Sequence, residues 1–405
     1  MVRQRSPSRL SAGGRTFRIS GLFSGIGGLE LGFHRSGHES LILCEIEDGA
    51  AAVLRHRFPD VPVRHDVTKL KSLPKATELV TAGFPCQDLT WSGRTQGIDG
   101  SRSRLVHEVF RLLRRRRIPW VLLENVPFML RLSRGRAMNV IVSAFEELGY
   151  KWAYRVVNSQ AFGLPQRRER VYLLASTEDD PRTVLFADDA GEPPEGEQSW
   201  SVASGFYWTE GIRGLGWAID AVPTLRGGST IGIPSPPAIV LPESGLIGMP
   251  DIRDGERLQG FRSGWTNPAA TIVGPGQKAT GHRWKLVGNA VSVDVAEWIG
   301  RRLKRPSPRG ALVQGAALDE GDPWPRAAWN IGDGRRAAAV SAWPKRKKRE
   351  PLHEFLRYPL VPLSVKATAG FLGRVKVSGL RFPTGFVDKL EAHLKRMEKT
   401  AAVSR

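Results

Sequence analysis

The stretch that decides the fold is residues 17–30, which read FRISGLFSGIGGLE. Residues 17–23 form a short apolar alternation, and this pattern predicts a β-strand that runs into a glycine-rich turn. Gly25, Gly27 and Gly28 let the backbone approach a ligand closely and point the N–H groups of a following helix at it. The pattern therefore predicts a strand, a ligand-binding turn and a helix, although such turns also occur without a ligand.

Strands and helices continue to alternate after this turn. The apolar patterns predict strands at residues 41–45, 78–81, 120–123, 154–158 and 171–175, and helices at residues 49–58, 106–113 and 139–148. Strands that alternate with helices indicate an α/β domain with a parallel, doubly wound sheet. Ligands of such sheets lie at the carboxyl ends of the strands, where the polar motifs of this chain also fall.

The alternating pattern ends near residue 178. Residues 178–198 are acidic and rich in Pro and Gly, which is typical of a linker or an exposed loop. Residues 199–250 have no helical period and many Gly, Pro and Trp residues, so we expect a small, irregular, mostly β domain. Beyond residue 300 lie the charge run 345–349 and a predicted final helix at residues 385–399.

The formal net charge of +20 is concentrated at the two ends of the 405-residue chain. Residues 1–16 contain four arginines and no acid, and residues 301–405 contain 23 Lys or Arg and 9 Asp or Glu. Residues 17–300 are therefore nearly neutral. Basic ends add salt-sensitive affinity for nucleic acid that is independent of sequence, and we expect them to contact phosphates; the alternative is that they are simply solvated.

Composition also limits the compartment. The chain shows neither a signal-peptide pattern at residues 1–7 nor an apolar run of about 18 residues, so we expect a cytoplasmic protein, associated with the nucleoid in a prokaryote. Its two cysteines, Cys44 and Cys86, are too few for a disulfide framework and agree with a reducing compartment. We expect Cys44 to be a buried strand residue.

Several polar residues follow the predicted strands. Glu45 comes about twenty residues after the glycine turn, where an acidic side chain commonly accepts from ribose hydroxyls, and Asp66 could meet an adenine amino group. Glu124 could bind the Watson–Crick edge of a base. Arg168 and Arg170 alternate on a strand, and they could bind a carbonyl oxygen or clamp Glu124 and a phosphate.

Each of these residues also has a plain structural interpretation. Either acid of the first pair, taken alone, is more commonly a solvated loop carboxylate, and an Arg-rich strand edge serves solubility or ion pairing. A lone Pro-Cys pair is more commonly a buried, inert thiol, because a thiol with a pKa near 8.5 needs activation to react at neutral pH.

In order and spacing, however, the residues resemble the motifs of the DNA cytosine-C5 methyltransferase family over about residues 17–300. The matching segments are Phe23-Ser24-Gly25-Ile26-Gly27-Gly28 for the first cofactor motif, Glu45 for the ribose acid, Asp66-Val67 for the adenine contact, Pro85-Cys86-Gln87 for the nucleophile loop, Glu124-Asn125-Val126 for the catalytic acid, Gln166 with Arg168 and Arg170 for the Gln-x-Arg-x-Arg motif, Arg253 with residues 257–261 for the motif after the recognition domain, and Gly288-Asn289-Ala290-Val291 for the last motif.

The resemblance implies an α/β fold with a doubly wound mixed sheet of the S-adenosylmethionine-dependent methyltransferase type. It implies S-adenosylmethionine as cofactor, no metal, and double-stranded DNA as substrate for a monomer that has no membrane contact, any cognate restriction endonuclease acting separately. The implied domains are a basic N-terminal tail (1–16), a catalytic and cofactor-binding domain (17–178), a linker with a small, mostly β target-recognition domain (179–265), a return to the catalytic domain (266–300) and a basic C-terminal extension (301–405).

The resemblance also implies site residues. The catalytic set is Cys86, Glu124, Arg168 and Arg170. The cofactor-binding set is Phe23, Ser24, Gly25, Ile26, Gly27, Gly28, Glu45, Ile46, Asp66, Val67, Pro85, Leu105, Asn289 and Ala290. The DNA-binding set is Gln87, Ser92, Gln166, Thr224, Leu225, Arg226 and Arg257.

Some positions depart from the family pattern, and other interpretations remain open. Glu47, Glu78, Arg104 and Asp254 replace more usual residues, and residues 179–250 are short for a recognition domain. A tRNA cytosine-C5 methyltransferase would share the nucleophile and acid motifs, but the Cys-Phe-Thr segment of those enzymes is absent from the sequence. A catalytically silent DNA-binding homologue would not need an intact Cys86, Glu124 and Arg170. A nicotinamide-dependent dehydrogenase would explain the glycine turn alone.

Overall fold

A computed structural model describes residues 14–84, 104–194, 196–197, 199–210, 214–227, 236–273 and 278–403. Its strands are β1 (Arg18–Leu22), β2 (Glu39–Cys44), β3 (Val63–Arg64), β4 (Leu79–Ala82), β5 (Trp120–Asn125), β6 (Lys151–Asn158), β7 (Gln166–Arg167), β8 (Glu169–Ser176), β9 (Ser204–Phe206), β10 (Ala218–Ile219), β11 (Val222–Pro223), β12 (Ala238–Val240), β13 (Ile247–Met249), β14 (Ala327–Asn330), β15 (Arg336–Ala337) and β16 (Val361–Pro362).

The helices lie between and after these strands. They are α1 (Gly28–Arg35), α2 (Asp48–Arg57), α3 (Arg104–Arg115), α4 (Arg136–Glu147), α5 (Arg182–Leu185), α6 (Ile252–Leu258), α7 (Ala279–Asn289), α8 (Val293–Lys304), α9 (Leu352–Phe355), α10 (Val365–Val377) and α11 (Phe386–Val403). None of the helices in the described ranges is long and apolar enough to cross a membrane.

The central sheet has nine strands in the order β15-β14-β6-β8-β5-β4-β1-β2-β3. The five strands from β5 to β3 are parallel, and the strands from β8 to β15 pair antiparallel. The doubly wound mixed sheet is thus confirmed, whereas the parallel order indicated by the alternating pattern holds only for the first five strands in sequence. Strands β4 and β5 are buried along their whole length, which explains their unbroken apolar character.

The strand order fixes where a ligand can bind. From β1 the chain moves outward to β2 and β3, and it then returns to the other side of β1 through β4 and β5. The carboxyl ends of β1 and β4 therefore diverge, and the loops after them leave a crevice between them. The glycine turn follows β1, Glu45 follows β2, and Glu124 lies at the end of β5.

Residues after the recognition segment return to the catalytic domain through α8. This helix packs against α1, and the contact is close because a Cβ built on Gly32 would lie 2.5 Å from the Cβ of Ala296. Cys44, at the end of β2, is buried, and burial raises the pKa of its thiol to about 12. Cys44 is therefore a buried strand residue, as expected.

A second sheet has five strands in the order β10-β9-β12-β13-β16. Its last strand comes from residues 361–362, so the end of the chain completes the sheet that residues 204–249 begin. Helices α10 and α11 cover this sheet with an apolar cluster that includes Phe206, Phe371 and Phe386. Strands β14 and β15 extend the central sheet instead, beside β6.

The expected C-terminal extension (301–405) therefore is not a separate segment, since it contributes strands to both sheets. Part of its positive charge is neutralised by acids of the preceding domains: Arg335 pairs with Glu146 at 2.7 Å, and Arg349 pairs with Asp220 at 3.0 Å. The acidic residues 178–198, expected as a linker or an exposed loop, also contact the central domain. Asp189 pairs at 3.0 Å with Arg155, whose side chain is fully buried.

We predict that ending the chain at residue 305 prevents folding rather than weakening DNA binding alone. The truncation exposes the edge of β6 and one face of the second sheet. The free energy lost with this buried surface exceeds a folding stability of roughly 5–15 kcal/mol. The measurement is soluble yield and thermal unfolding, with a chain lacking only residues 404–405 as control. A truncated protein that melts like the full chain would contradict the prediction.

Candidate active site

A cavity of about 850 Å³ lies at the carboxyl edge of the parallel strands. Its wall includes nine residues of the expected cofactor-binding set, namely Phe23, Gly25, Ile26, Glu45, Ile46, Asp66, Val67, Leu105 and Asn289. Glu124 and Arg170 line the same cavity. Within the described ranges, no group of three or more His, Cys, Asp or Glu side chains is arranged to hold a metal ion.

Four more residues of that set lie behind the wall. Ser24 donates its backbone N–H to Cys44 O at 3.0 Å, and Gly27 donates to Ser24 O at 2.9 Å, so both shape the turn. Gly28 packs against the segment after α7, since a Cβ there would lie 2.3 Å from Val291 O. Ala290 offers its carbonyl to Arg168. Pro85 lies outside the described residues.

The glycine turn is held in a left-handed conformation. Phe23, Gly25 and Gly27 have φ angles of 54°, 55° and 86°, a region that side chains with a Cβ rarely adopt. The carboxylate of Glu45 accepts from Gly25 N at 2.7 Å and from Glu47 N at 2.9 Å. Glu45 therefore connects the turn after β1 to the loop after β2, while burial raises the pKa of its carboxyl.

The cavity wall also combines an acid, Asp66, with an exposed aliphatic side chain, Ile46. Asp66 accepts from Thr68 N at 2.9 Å and Thr68 Oγ1 at 2.7 Å, and these hydrogen bonds lower its pKa. Ile46 is 63% exposed, which is unusual for a large aliphatic residue. A planar base could cover Ile46 while a carboxylate receives its amino group, so these residues fit an adenosyl group.

Glu124 and Arg170 form an ion pair at the end of β5. Arg170 Nε lies 3.1 Å from Glu124 Oε1, and the two side chains are 12% and 9% exposed. Burial raises the pKa of Glu124, although Arg170 and Arg168 act in the opposite direction. The pair thus provides a carboxyl group that takes up a proton more readily than usual, next to a fixed cation.

Asn125 connects this acid to the segment that contains Cys86. Its Nδ2 donates to Phe84 O at 3.1 Å, and its Oδ1 accepts from Val126 N at 2.8 Å. Asn125 was expected only as part of the Glu124 motif, and the hydrogen bond to Phe84 gives it a positioning role. Of the other expected site residues, Cys86, Gln87 and Ser92 lie outside the described residues.

Arg168 and Arg170, expected to face the same side, have different neighbours because the strand is interrupted between β7 and β8. The guanidinium of Arg168 is buried and donates to Leu225 O at 3.0 Å and to Ala290 O at 2.6 Å. It is not among the residues that line the cavity. These hydrogen bonds join residues 224–227, which we call the recognition loop, to residues 288–290, which we call the return segment. A catalytic role of Arg168 stays a prediction.

Two residues expected to contact DNA make hydrogen bonds within the protein: Gln166 is fully buried, and the side chain of Arg257 is 11% exposed. Gln166 accepts from Leu225 N at 2.9 Å and donates to Leu258 O at 2.8 Å. Arg257 pairs with the buried Asp254 at 2.6 Å. The Gln-x-Arg motif does not specify which way a polar side chain points. Here the side chain of Gln166 forms hydrogen bonds that connect separate segments of the protein.

A second cavity of about 440 Å³ opens beside Arg170. Thr224, Leu225 and Arg226, whose contact with DNA stays a prediction, line it together with Tyr207 and residues 288–289. A Cβ on Gly288 would lie 2.1 Å from the carbonyl carbon of Arg226, so the recognition loop packs directly on the return segment at this point.

Comparisons with known proteins agree with this geometry. The sequence model of the C-5 cytosine-specific DNA methylase family matches residues 17–204. The chain is 48% identical over 383 residues to the Type II methyltransferase M2.BsuMI of Bacillus subtilis (strain 168), with 92% of this chain and 97% of that protein covered. It is 36% identical over 173 residues to the Type II methyltransferase M.BanI of Aneurinibacillus aneurinilyticus, covering 41% of this chain and 40% of that protein.

Among solved structures, the S. pombe Dnmt2 methyltransferase superposes with a TM-score of 0.51 at 18% identity, covering 71% of this chain and 98% of that structure, and it shares the fold. The fold is that of an S-adenosylmethionine-dependent methyltransferase. The chain belongs to the C-5 cytosine-specific DNA methylase family, and it is a DNA cytosine-C5 methyltransferase. The resemblance to this family is thereby confirmed.

Glu30 on α1 generates a prediction about pH. Its carboxyl is buried beneath Gly21, where a Cβ would lie 2.3 Å from Glu30 Oε1, and burial raises its pKa to about 7. Between pH 4.5 and 7 the unfolded chain ionises first, so the folded state loses stability as pH rises, by up to about 3 kcal/mol. We expect Glu30→Gln to remove this loss, so the variant gains stability relative to the natural chain at pH 8.5 but not at pH 4.5.

The measurement is urea unfolding of both proteins at the two pH values. Glu243→Gln, at an exposed position, is the matched control and should change neither value. A stability difference between Glu30→Gln and the natural chain that is the same at pH 4.5 and pH 8.5 would contradict the prediction.

Proposed function

We propose that this chain transfers a methyl group from S-adenosylmethionine to C5 of a flipped cytosine in double-stranded DNA, within a short specific sequence, through a covalent adduct between Cys86 and C6. The observation that carries the proposal is the buried Glu124–Arg170 pair in the cavity behind the glycine turn. Asn125, next to Glu124, binds the carbonyl of Phe84, two residues before Cys86.

Different residues of this chain serve different steps of the proposed reaction. The C5 atom of cytosine is a weak nucleophile, so the Cys86 thiolate first forms a bond to C6 and moves electron density toward C5 and N3. Glu124 donates a proton or hydrogen bond to N3, and its raised pKa keeps it protonated closer to neutral pH. Arg170 stabilises the charge on O2. Once C5 carries the methyl group, loss of the C5 proton and release of Cys86 restore the aromatic ring.

The cavity wall supports the cofactor assignment. S-adenosylmethionine would supply an electrophilic methyl group. Glu45 would accept from its ribose hydroxyls, Asp66 from its adenine amino group, and Ile46 would cover one face of the base. Phe23 and Leu105 line the same cavity.

A base stacked inside a duplex cannot reach this cavity. The cytosine has to be flipped, at a cost of a few kcal/mol, and the second cavity beside Thr224 and Arg226 is suited to hold the flipped nucleotide. M2.BsuMI and M.BanI are named Type II methyltransferases, which supports a role of this chain in a restriction–modification system. Tritium transfer to duplex DNA, compared with transfer to tRNA, tests the DNA assignment against the RNA alternative.

We predict that Cys86→Ser abolishes methyl transfer, because a serine hydroxyl is far less ionised than a thiol at neutral pH, while cofactor and DNA binding remain. Bisulfite sequencing of plasmid DNA from expressing cells should show one protected sequence for the natural chain and none for the variant. Cys44→Ser, at a buried strand position, is the control for general loss of a thiol. Methylation by the Cys86→Ser protein at the natural level would refute the adduct.

We predict that Glu124→Gln lowers kcat by roughly 10²–10⁴-fold, because the amide cannot transfer a proton to N3. The amide keeps the shape of the side chain, so thermal unfolding should change little. Single-turnover methylation of the duplex identified by bisulfite sequencing gives the rate. A variant with normal kcat would mean that Glu124 only positions the base.

A further inference from the structure

The helical hairpin of α10 and α11 is continuous with the recognition sheet. The ring of Phe206, in β9, lies 5.3 Å from that of Phe371 and 5.1 Å from that of Phe386. His393, in α11, accepts with Nδ1 from Ile247 N at 3.3 Å. Together with the pairing of β16 and β13, these contacts join residues 361–403 to the five-stranded sheet that begins at residue 204.

Arg374, in α10, extends this connection toward the second cavity. Its Nε donates to Glu210 O at 2.8 Å, and one terminal nitrogen donates to Trp208 O at 2.9 Å. These two carbonyls belong to residues 207–210, which we call the platform. A guanidinium can donate from two nitrogens in fixed directions, so Arg374 fixes the platform backbone in a way that a lysine cannot copy.

The platform in turn holds the side chain of Arg226. The carboxylate of Glu210 pairs with the Arg226 guanidinium, which lies 3.8 Å from the ring centre of Tyr207. Tyr207 also donates its hydroxyl to Thr224 O at 2.8 Å. The side chain of Arg226 is 45% exposed and borders the second cavity. It is therefore a cation that is fixed in place and still accessible.

The backbone of Arg226 is held by different groups. Gln166 and Arg168 bind the backbone of Leu225, and Gly288 packs on the Arg226 carbonyl. The recognition loop is thus fixed by the catalytic domain, whereas the direction of the Arg226 side chain is fixed by the platform. The two effects can be separated by mutation.

We propose that Arg374 is a positioning residue for DNA binding: through the platform it directs Arg226 at a backbone phosphate beside the flipped cytosine. The C-terminal hairpin is then a working part of the recognition domain. The inference rests on the proposed function. Arg374 itself bonds to two protein carbonyls, so it should influence DNA only through Arg226.

The test compares Arg374→Ala, Arg374→Lys, Arg226→Ala and the Arg374→Ala/Arg226→Ala double variant, using the duplex identified by bisulfite sequencing. We expect Arg226→Ala and Arg374→Ala each to raise the Kd for DNA on the order of tenfold and to reduce the slope of log Kd against log salt by about one. The double variant should show no further reduction in slope. The KM for DNA should rise with Kd, while kcat and S-adenosylmethionine binding stay near natural values.

Arg396→Ala is the matched control, because Arg396 is in the same hairpin and donates to Ser244 O at 2.8 Å, without a bond to the platform. It should leave the salt slope unchanged. Arg374→Lys keeps the charge without the forked donors, so we expect it to behave like Arg374→Ala, and it provides the test if Arg374→Ala fails to fold.

Three results would overturn the inference: an unchanged slope in Arg374→Ala, slope reductions that add in the double variant, or full rescue by Arg374→Lys. Additive reductions would mean that Arg374 contacts a phosphate itself. If the natural chain methylates no DNA, the proposed function fails; if it methylates DNA but one of these three results is obtained, only the present inference fails.

Discussion

The arrangement of the site depends on the hydrogen bonds of the buried Arg168 guanidinium. It donates to Leu225 O in the recognition loop and to Gly288 O and Ala290 O at the C-terminal end of α7. A helix C-terminus carries partial negative charge and carbonyls without helical partners, so it can accept a buried cation. Burial nevertheless lowers the pKa of Arg168 to about 9, which shows how strongly the surroundings disfavour its charge.

The other carbonyls and amides at this junction are satisfied in the same way. Gln259 donates to Val287 O at 2.9 Å, and Gln166 binds Leu225 N and Leu258 O. Three stretches that are far apart in sequence thus meet through side chains that bond to backbone. Unmade hydrogen bonds would be costly in a buried junction, so these side chains hold the recognition loop at a fixed distance from Glu124.

This arrangement explains why two arginines so close in sequence have different roles. The two terminal nitrogens of Arg168 donate to backbone carbonyls, whereas Arg170 is the cation that pairs with Glu124. Each arginine disfavours the charge of the other, and Glu124 lies within the influence of both. Burial raises the pKa of Glu124 and so favours its protonated form. When Glu124 is protonated, the charge of Arg170 is no longer balanced, and the cavity has a net positive charge. Such an environment stabilises electron density that moves onto a bound ring.

The sequence predicts best those features in which a motif residue directly follows or ends a β-strand. The glycine turn, Glu45 and Glu124 lie where the motif order places them, because only certain residues fit a left-handed turn or serve as an acid there. The roles of Gln166, Arg168 and Arg257 could not be predicted, since a motif does not reveal whether a polar side chain points inward. Strands β14 and β16 are only four and two residues long, and the basic character of residues 301–405 led to the expectation of an extension that contacts phosphates rather than one that packs on both domains.

The packing of the C-terminal residues also changes how the net charge should be interpreted. Arg326 pairs with Glu169 at 2.6 Å, and Arg335 and Arg349 pair with acids of the earlier domains. A cation with a fixed carboxylate partner releases fewer counterions when DNA binds than a free one, so the formal charge of +20 overstates the affinity for phosphate. Arg226 is also paired, but the side chain of its partner Glu210 is 35% exposed. On the proposed function, a phosphate would compete with this carboxylate for the same guanidinium, so a few placed cations, rather than the total charge, would determine where DNA lies relative to Glu124.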